Sequence, residues 1–239
     1  FFGDSLTDGG YFSPITQGTP PLGLGLNESG QFTTNPDNVW ATSFAEQLGA
    51  TSVANTVGSP QTGNNYAIGG ARAGVEVTNT DFGSDIPVAS VNTQVNGYLA
   101  TKKVDPNGMY VVWAGANDLL AAAANPDNSI TTISSAAGSQ VAAIKALKDN
   151  GANYILVPNI PDIGLTPTAI AAGTGFQSSG TMLANLYNQT MYSGAVATGA
   201  NIIPLDTFSL LQQVAANPNA YGEPPRLYRR VDCLSQAAL

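Results

Sequence analysis

Three short and nearly continuous runs of apolar residues stand out in the second half of the chain. They are MYVVWAG (109–115), NYILVPN (153–159) and NIIPLD (201–206), with turn-forming residues at their ends. Runs of this length, bounded by Gly, Pro, Asn or Asp, are typical of parallel strands that are buried on both faces. ATSVANT (50–56) is a weaker candidate, and FFGDS (1–5) reads as the tail of a strand whose earlier part is missing.

Between these runs, apolar residues recur at helical spacing. Residues 129–150 place Ile133, Ala137, Val141 and Ile144 on one face, with Ser129 as a candidate cap and Asn150-Gly151 as the stop. Further helices are predicted at 38–48 (Trp40, Phe44 and Leu48 inward), at 179–197 (Leu183, Leu186 and Tyr187 inward) and directly after Asp206 (Leu210, Leu211 and Val214 inward). Residues 13–37 and 56–94 read as long loops. Alternating strands and helices predict a mostly parallel sheet with helices on both faces, which binds ligands at the carboxyl ends of its strands.

Composition narrows the class of protein. With 239 residues, of which 43% are hydrophobic, the chain suits a single α/β domain. Only 10% of the residues are charged, and the net charge of -8 argues against a nucleic-acid backbone or an anionic membrane as partner. No apolar run is long enough for a transmembrane helix. The weakly charged, neutral polar surface favours a secreted or cell-surface protein.

The last stretch of the chain differs from the rest. Residues 1–222 contain one arginine, Arg72, whereas residues 223–239 contain three arginines and the single cysteine, Cys233. So abrupt a change suggests a foreign segment, and a natural basic tail is the alternative. We therefore divide the chain into a domain at 1–222 and an atypical arginine-rich tail at 223–239.

Ser5 lies between the strand-like FFG and the turn-rich LTDGG. A serine in this position is exposed at the carboxyl edge of a sheet, as a nucleophile must be, and helical N–H groups nearby favour negative charge there. The alternative is that Ser5 or Asp4 is only a helix N-cap.

Two other places can supply oxyanion donors. In NNYAIGGAR (64–72), Gly70 can bring its N–H close to a ligand because it has no Cβ. In GAND (115–118), which follows the strongest strand, Asn117 can aim its amide at the same crevice. A tight turn and a helix cap are the respective alternatives. Together with the Ser5 N–H, these groups would supply the electrostatic half of acyl transfer.

The motifs FGDSLTD, NNYAIGGAR, GAND and VPNIPDIGLTP, in this order and spacing, resemble the GDSL or SGNH-hydrolase family. Within it, the chain is most similar to the larger bacterial GDSL esterases, including autotransporter passenger domains. The resemblance implies a flavodoxin-like three-layer α/β/α sandwich and hydrolysis of carboxylic esters without a cofactor. It also implies that Ser5 is the nucleophile, and that the Ser5 N–H, the Gly70 N–H and the Asn117 amide form the oxyanion hole.

The family pattern also has an Asp-x-x-His motif near the C-terminus, and this sequence contains no histidine. We therefore expect the C-terminal part of the domain to be missing, through truncation or a frame shift after about residue 222, or because a segment is absent from this sequence. Without the histidine, activity is expected to be weak or absent. Water, a carboxylate such as Asp162 or Asp206, or a residue from a second chain could assist Ser5.

The other polar and aromatic candidates are expected to be structural. We expect a turn role for Asp162, a helix N-cap for Asp206, a hydrogen-bond acceptor in Asp118, a helix-dipole partner in Asp8, a solvated pair in Lys102-Lys103, and core or cleft wall in Tyr66, Phe82 and Trp113.

The sequence thus predicts a serine esterase for short to medium acyl chains. No cluster of like charge argues for a charged substrate. Two alternatives remain: a non-catalytic domain that binds a small molecule, and an assembly fragment that associates with itself through an uncovered sheet face.

Overall fold

A computed structural model of the protein describes residues 1–16, 26–27, 29–33, 37–82 and 84–221. The elements of this part, in chain order, are α1 (Ser13–Thr16), α2 (Trp40–Gln47), β1 (Val77–Asn79), β2 (Ile86–Val88), α3 (Val91–Thr101), β3 (Met109–Val111), α4 (Ala116–Ala124), α5 (Ser129–Asp149), β4 (Tyr154–Pro158), α6 (Pro167–Ala172), α7 (Thr174–Ala197), β5 (Ile202–Leu205) and α8 (Thr207–Ala216), with short 3₁₀ turns at Pro126–Asn128, Ile163–Leu165 and Pro218–Tyr221.

The centre of the fold is a parallel sheet in the order β3-β4-β5, which confirms the three predicted apolar runs. The start of the chain extends this sheet, because Phe2 pairs in parallel with Val112. On the other side of residues 1–3, the Phe1 and Gly3 carbonyls accept the N–H groups of Tyr66 and Ile68. The FFG segment therefore lies between the 66–68 segment and β3, and Ser5 follows it.

Helices cover both faces of the sheet. The Phe1 ring meets Trp40 of α2, with 6.0 Å between ring centroids, whereas the Phe2 ring meets Tyr98 of α3 at 5.6 Å. Neighbouring residues of a strand point to opposite faces, so α2 and α3 lie on opposite sides. Helices α5 and α7 lie on the same side of the sheet as α3, where α3 packs against α5 and α5 packs against α7. The predicted α/β/α architecture is confirmed.

Several details of the helices differ from the sequence prediction. In α5, Ile133, Ala137 and Ile144 are buried as expected, but the N-cap is Asn128, not Ser129, and its side chain makes no capping bond. In α2, the buried residues are Ala41 and Ala45 rather than the predicted stripe, and Leu48 is 57% exposed. The small alanines face the core, while Trp40 and Phe44 contact each other at its margin.

The long loop predicted at 56–94 contains the antiparallel hairpin β1-β2 and the first turn of α3. Helix α3 was not predicted, because its first turn was read as part of the long loop, although Val91, Val95, Tyr98 and Leu99 recur at helical spacing and pack on the core. Its start is capped by the Ser90 hydroxyl, which accepts the Thr93 N–H. The arginine-rich tail at 223–239 lies outside the described residues. Within the described part, none of the helices is both long and apolar enough to cross a bilayer.

Candidate active site

Ser5 lies in a tight helical turn directly after the first strand segment. The Asp4 carbonyl accepts the N–H groups of Thr7 and Asp8, each at 3.0 Å, and the Asp4 carboxylate accepts the Leu6 N–H at 3.1 Å. The Ser5 side chain is half-buried, and its hydroxyl has no hydrogen-bond partner among the described residues. The turn therefore fixes the backbone around Ser5 and leaves the hydroxyl unengaged.

Asp8 ties this turn to the glycine-rich segment that contains Gly70. One carboxylate oxygen accepts the N–H groups of Gly10 and Tyr11, and the other accepts the Gly69 N–H at 2.8 Å. Asp8 is buried. The expectation of a helix-dipole role does not describe it, because its carboxylate bridges two segments that lie 61 residues apart.

Gly70 lies on the exposed side of this segment. Its φ of +82° is in the left-handed region, which favours glycine, and a Cβ placed there would meet nothing within 4 Å. Glycine is therefore favoured at position 70 by its backbone conformation and not by lack of space, since the space around the position of a Cβ atom is open.

The N-terminus of α4 is bound to the residues that follow Gly70. The Asn117 amide donates to the Ala71 carbonyl at 2.9 Å. The Asp118 carboxylate accepts the Ala73 N–H at 2.8 Å and the Arg72 Nε at 2.9 Å. Asp118 is therefore a structural acceptor, as predicted. An amide nitrogen carries two hydrogens, so the Asn117 amide keeps one further donor.

These bonds form a continuous path from the Ser5 turn through residues 69–73 to Asn117. The path begins at Asp8, which binds Gly69, and ends at the start of α4. Each of the three segments follows a strand or strand-like piece, at the carboxyl edge where open α/β sheets bind ligands. That Ser5, Gly70 and Asn117 act together on a substrate stays a prediction.

Buried carboxyl groups lie beneath this path. Burial, with a smaller contribution from the nearby Asp118 and Asp8 carboxylates, raises the pKa of Asp4 to about 7, against the Leu6 N–H bond, which lowers it. Burial also raises the pKa of Asp8 to about 6, although three N–H groups favour its charged form. Burial raises the pKa of Asp118 too, against its bonds to Ala73 and Arg72. Burial makes the ionised form of these three carboxyl groups unfavourable, and their hydrogen bonds offset part of this free-energy cost.

The two carboxylates considered as aids to Ser5 have structural bonds instead. Asp162 accepts the Gly164 N–H at 3.1 Å, the Thr181 hydroxyl and the Gln212 amide, which is the predicted turn role. Asp206 accepts the Ser209 N–H at 3.0 Å at the start of α8, which confirms the predicted N-cap.

Gln94 is a functional neighbour that the sequence reasoning missed. Its amide accepts the Gly3 N–H at 3.0 Å and donates to the Gly3 carbonyl at 2.9 Å, two residues before Ser5. No sequence signal pointed to Gln94, because neither α3 nor the burial of this side chain was predicted. Arg72 is the other omission; it was noted only for its rarity, although it lies two residues after Gly70.

Comparison with known proteins identifies the family of the chain. The family model of the GDSL-like lipase/acylhydrolases matches residues 1–232. The chain belongs to this family. The match includes the segments that carry Ser5, Gly70 and Asn117, and it runs ten residues past residue 222.

Among curated members, Lipase 1 of Photorhabdus luminescens is 36% identical over 70% of this chain and 22% of its own length. Esterase EstA of Pseudomonas aeruginosa is 30% identical over 92% of this chain and 37% of its own. Phosphatidylcholine-sterol acyltransferase of Aeromonas hydrophila is 27% identical over 70% and 45%. The chain thus spans less than half the length of these relatives.

Proposed function

We propose that this GDSL-family chain hydrolyses carboxylic esters through an acyl-serine intermediate at Ser5. The hydrogen-bonded path from the Ser5 turn to Asn117 is the observation that carries the proposal. It links Ser5, whose hydroxyl has no hydrogen-bond partner in the described part of the chain, to two groups that can donate hydrogen bonds to an oxyanion. The family and its lipase and esterase members support ester hydrolysis in general.

In this mechanism the Ser5 Oγ attacks the ester carbonyl carbon and loses its proton. The carbonyl oxygen becomes an oxyanion, which accepts hydrogen bonds from the Ser5 N–H, the Gly70 N–H and the free Asn117 amide hydrogen. The C–O bond of the ester breaks, and the alcohol leaves with a proton. Water then attacks the acyl-serine, releases the carboxylic acid and restores the Ser5 hydroxyl.

The chain has no histidine to accept the Ser5 proton. We propose that water, or a residue from a second chain, takes this role, since Asp162 and Asp206 are engaged in structural bonds. Serine hydrolases that lose triad members lose roughly 10⁴- to 10⁶-fold in rate and keep some catalysis from the oxyanion hole. Hydrolysis is accordingly expected to be weak, with short to medium acyl chains as substrates.

Labelling with a fluorophosphonate, followed by peptide mapping, tests this proposal directly. The label should attach to Ser5 and be absent from Ser5→Ala, which should also lose hydrolysis of a chromogenic butyrate ester. Ser178→Ala is the matched control, because Ser178 is an exposed serine of α7. Unlabelled Ser5 together with identical ester turnover in the three proteins would contradict the proposal and favour a ligand-binding domain of the same fold.

The pH dependence of hydrolysis gives an independent check. An unperturbed histidine titrates near about pH 6.5. Without one, the rate should show no histidine step that persists after any tag histidines are removed. The carboxyl groups of Asp4 and Asp8, with pKa values of about 7 and about 6, titrate in the same range. Only a step that persists in both Asp4→Asn and Asp8→Asn would mean that the assayed protein contains residues beyond this sequence.

We also propose that the chain associates with itself through the face formed by β5 and α8. Leu205 of β5 is 39% exposed and Leu210 of α8 is 45% exposed. Exposed apolar patches on proteins mark interaction sites or aggregation liabilities. Light scattering over a range of concentrations tests this, and a strict monomer throughout would refute it.

The narrower assignments rest on sequence features alone. A secreted or cell-surface location is proposed from the low charged fraction of 10%. Similarity to autotransporter-type esterases is proposed from the order of the motifs. Fractionation of cells that express the gene from its own promoter tests the location, and recovery of the protein only in the cytosol would contradict it.

A further inference from the structure

A cleft of about 240 Å³ lies beside Arg72, on the side of the 71–73 segment that carries the ion pair with Asp118. The N-terminal part of α5 forms its other wall, with the side chains of Thr131, Thr132 and Ser135. One wall therefore carries the Arg72 guanidinium and the Asp118 carboxylate beside Gly74 and Val75, and the other carries a row of hydroxyl groups. Neither the sequence motifs nor the proposed hydrolysis assigns a role to it.

Arg72 is fixed in place yet keeps most of its donors. Its Nε donates to the Asp118 carboxylate at 2.9 Å, and the Ala73 N–H holds the other oxygen of that carboxylate. The Nη atoms make no hydrogen bond with the described residues, and the side chain is 20% exposed. A guanidinium has five N–H donors in one plane, so the Nη edge keeps the fork that matches a carboxylate or phosphate.

The α5 wall adds further unengaged donors. The hydroxyls of Thr131, Thr132 and Ser135 have no hydrogen-bond partner among the described residues, whereas the Ser139 hydroxyl is bound to the Ser135 carbonyl at 3.0 Å. Thr131 and Thr132 are the third and fourth residues of α5. The positive end of the helix dipole favours negative charge at this position.

The charges around the cleft decide which contacts select a ligand. Asp118 offsets part of the Arg72 charge, and the net charge of -8 repels anions at long range. Long-range electrostatic attraction therefore does not draw an anion into this cleft. Selection depends on short charge-assisted hydrogen bonds to the Nη edge, which are stronger than neutral ones.

The cleft adjoins the candidate oxyanion donors. Arg72 follows Gly70 by two residues, which span at most about 7 Å, and Asp118 is next to Asn117. An ester whose carbonyl lies at Gly70 and Asn117 can therefore place a second group against Arg72. We propose that this cleft binds an oxyanion, a carboxylate or phosphate group, of the ester substrate. The reference to an ester rests on the proposed function, and the anion site itself does not.

Titration with inorganic phosphate and with acetate, followed by NMR of backbone amides, tests the anion site without catalysis. At least one anion should saturate shifts at residues 72–74 and 131–135, and the stronger one identifies the source as phosphate or carboxylate. Arg72→Met should raise the dissociation constant roughly ten- to hundredfold, as expected when a charge-assisted pair is lost. Arg72→Lys should recover only part of this, since lysine lacks the fork.

Two further variants separate binding from folding. Thr132→Val removes a hydroxyl and leaves the ion pair between Arg72 and Asp118 intact, so it should weaken binding severalfold without unfolding the chain. Lys145→Met, about 20 Å along α5 from Thr132, removes a surface cation and should leave the affinity unchanged. No saturable shift in the wild-type chain, or equal affinity in Arg72→Met and Lys145→Met, would overturn the anion site.

Paired esters test the link to the substrate. The ratio of p-nitrophenyl hemisuccinate to p-nitrophenyl butyrate hydrolysis should fall in Arg72→Met and should keep the wild-type value in Lys145→Met. Anion binding that persists in Ser5→Ala, with no ester turnover in any variant, would contradict the hydrolase proposal alone. Turnover with the same ratio in wild type and Arg72→Met would contradict the substrate assignment alone.

Discussion

The central sheet runs from the segment at residues 1–3 through β3 and β4 to β5, and its two ends differ in how the neighbouring segments are held. At one end, the Ser5 turn, the 66–73 segment and the start of α4 are joined by bonds to the buried carboxylates of Asp8 and Asp118. At the other end, β5 has half-buried or exposed side chains throughout, and Leu210 of α8 is 45% exposed. The first end is held by polar groups out of water, and the second leaves apolar groups in contact with water.

This difference is also visible in the carboxyl groups. The pKa of Asp4 and Asp8 is raised by burial, whereas the bonds from Ser209 lower the pKa of the exposed Asp206. The candidate site is therefore costly to charge, and the β5–α8 end is not. Position and geometry at the first end depend on a few buried side chains, so single substitutions should have unequal effects at the two ends.

The largest effect of a single substitution is expected for Asp8→Ala. It leaves the buried N–H groups of Gly10, Tyr11 and Gly69 without their acceptor, so the free energy of unfolding should fall by about 4 kcal/mol. Asp206→Ala is the matched carboxylate at the open end, and loss of this N-cap should cost only about 1 kcal/mol. Urea unfolding measures both, and equal losses would remove the contrast between the ends.

The pH dependence of stability combines two buried carboxyl groups. The folded-state pKa values of Asp4, about 7, and Asp8, about 6, lie above the ordinary 3.8, so the folded chain binds these protons more tightly than the unfolded chain. The stability that these two groups contribute is fully present below about pH 4 and is lost as the pH rises through their folded-state pKa values, by on the order of 7 kcal/mol for the two groups together.

Urea unfolding between about pH 4 and about pH 8 measures this fall. Asp4→Asn should flatten it, because the amide does not titrate. Asp206→Asn should leave it unchanged, since a lowered pKa contributes stability that is lost only as the pH falls below the ordinary 3.8. A fall that is as steep in Asp4→Asn as in the wild type would contradict the assignment to the buried carboxyl groups.

A smaller difference in stability is expected between Gly115→Ala and its control, Gly199→Ala. Both glycines have a positive φ, +109° and +71°. A Cβ at Gly115 would approach the Tyr187 ring to 2.4 Å, whereas a Cβ at Gly199 would meet nothing within 4 Å. Gly115→Ala should therefore be about 2 kcal/mol less stable than its control. Equal stabilities in thermal unfolding would show that backbone strain alone decides both.

The smallest effect on folding is expected at the open end. Leu210→Ser should change the unfolding free energy by less than about 0.5 kcal/mol, because Leu210 is already 45% exposed. The same change should shift the light-scattering mass toward the monomer. A large loss of stability with no change in mass would mean that Leu210 packs within its own chain.

The sequence predicted best what depends on local pattern. The apolar runs that became β3, β4 and β5, the α5 face around Ile133 and Ile144, and the Asp206 cap each require only neighbours along the chain. Features that depend on distant partners were not predictable. The role of Asp8 requires Gly69, and the bonds of the buried Gln94 in α3 require Gly3.

The same reasoning applies to the candidate site. The residue types at Ser5, Gly70 and Asn117 could be selected from motifs, because their chemistry is carried by each residue alone. The availability of the Arg72 fork could not, because it depends on which of its nitrogens Asp118 occupies. A pattern of residues indicates what a side chain is able to do, and packing determines which of its atoms are left to do it.

The bonds of Gln94 to Gly3 also bear on how the chain acquires its shape during synthesis. They join residues 91 positions apart, and Asn117 closes onto Ala71 across 46 positions. Such distant closures are entropically costly and are made late. The Ser5 turn leaves the ribosome first, yet its surroundings are complete only once α4 has emerged, roughly 6 to 24 seconds later at about 5–20 residues per second. The nascent chain thus exposes Ser5 well before the segments that surround it in the folded protein are in place.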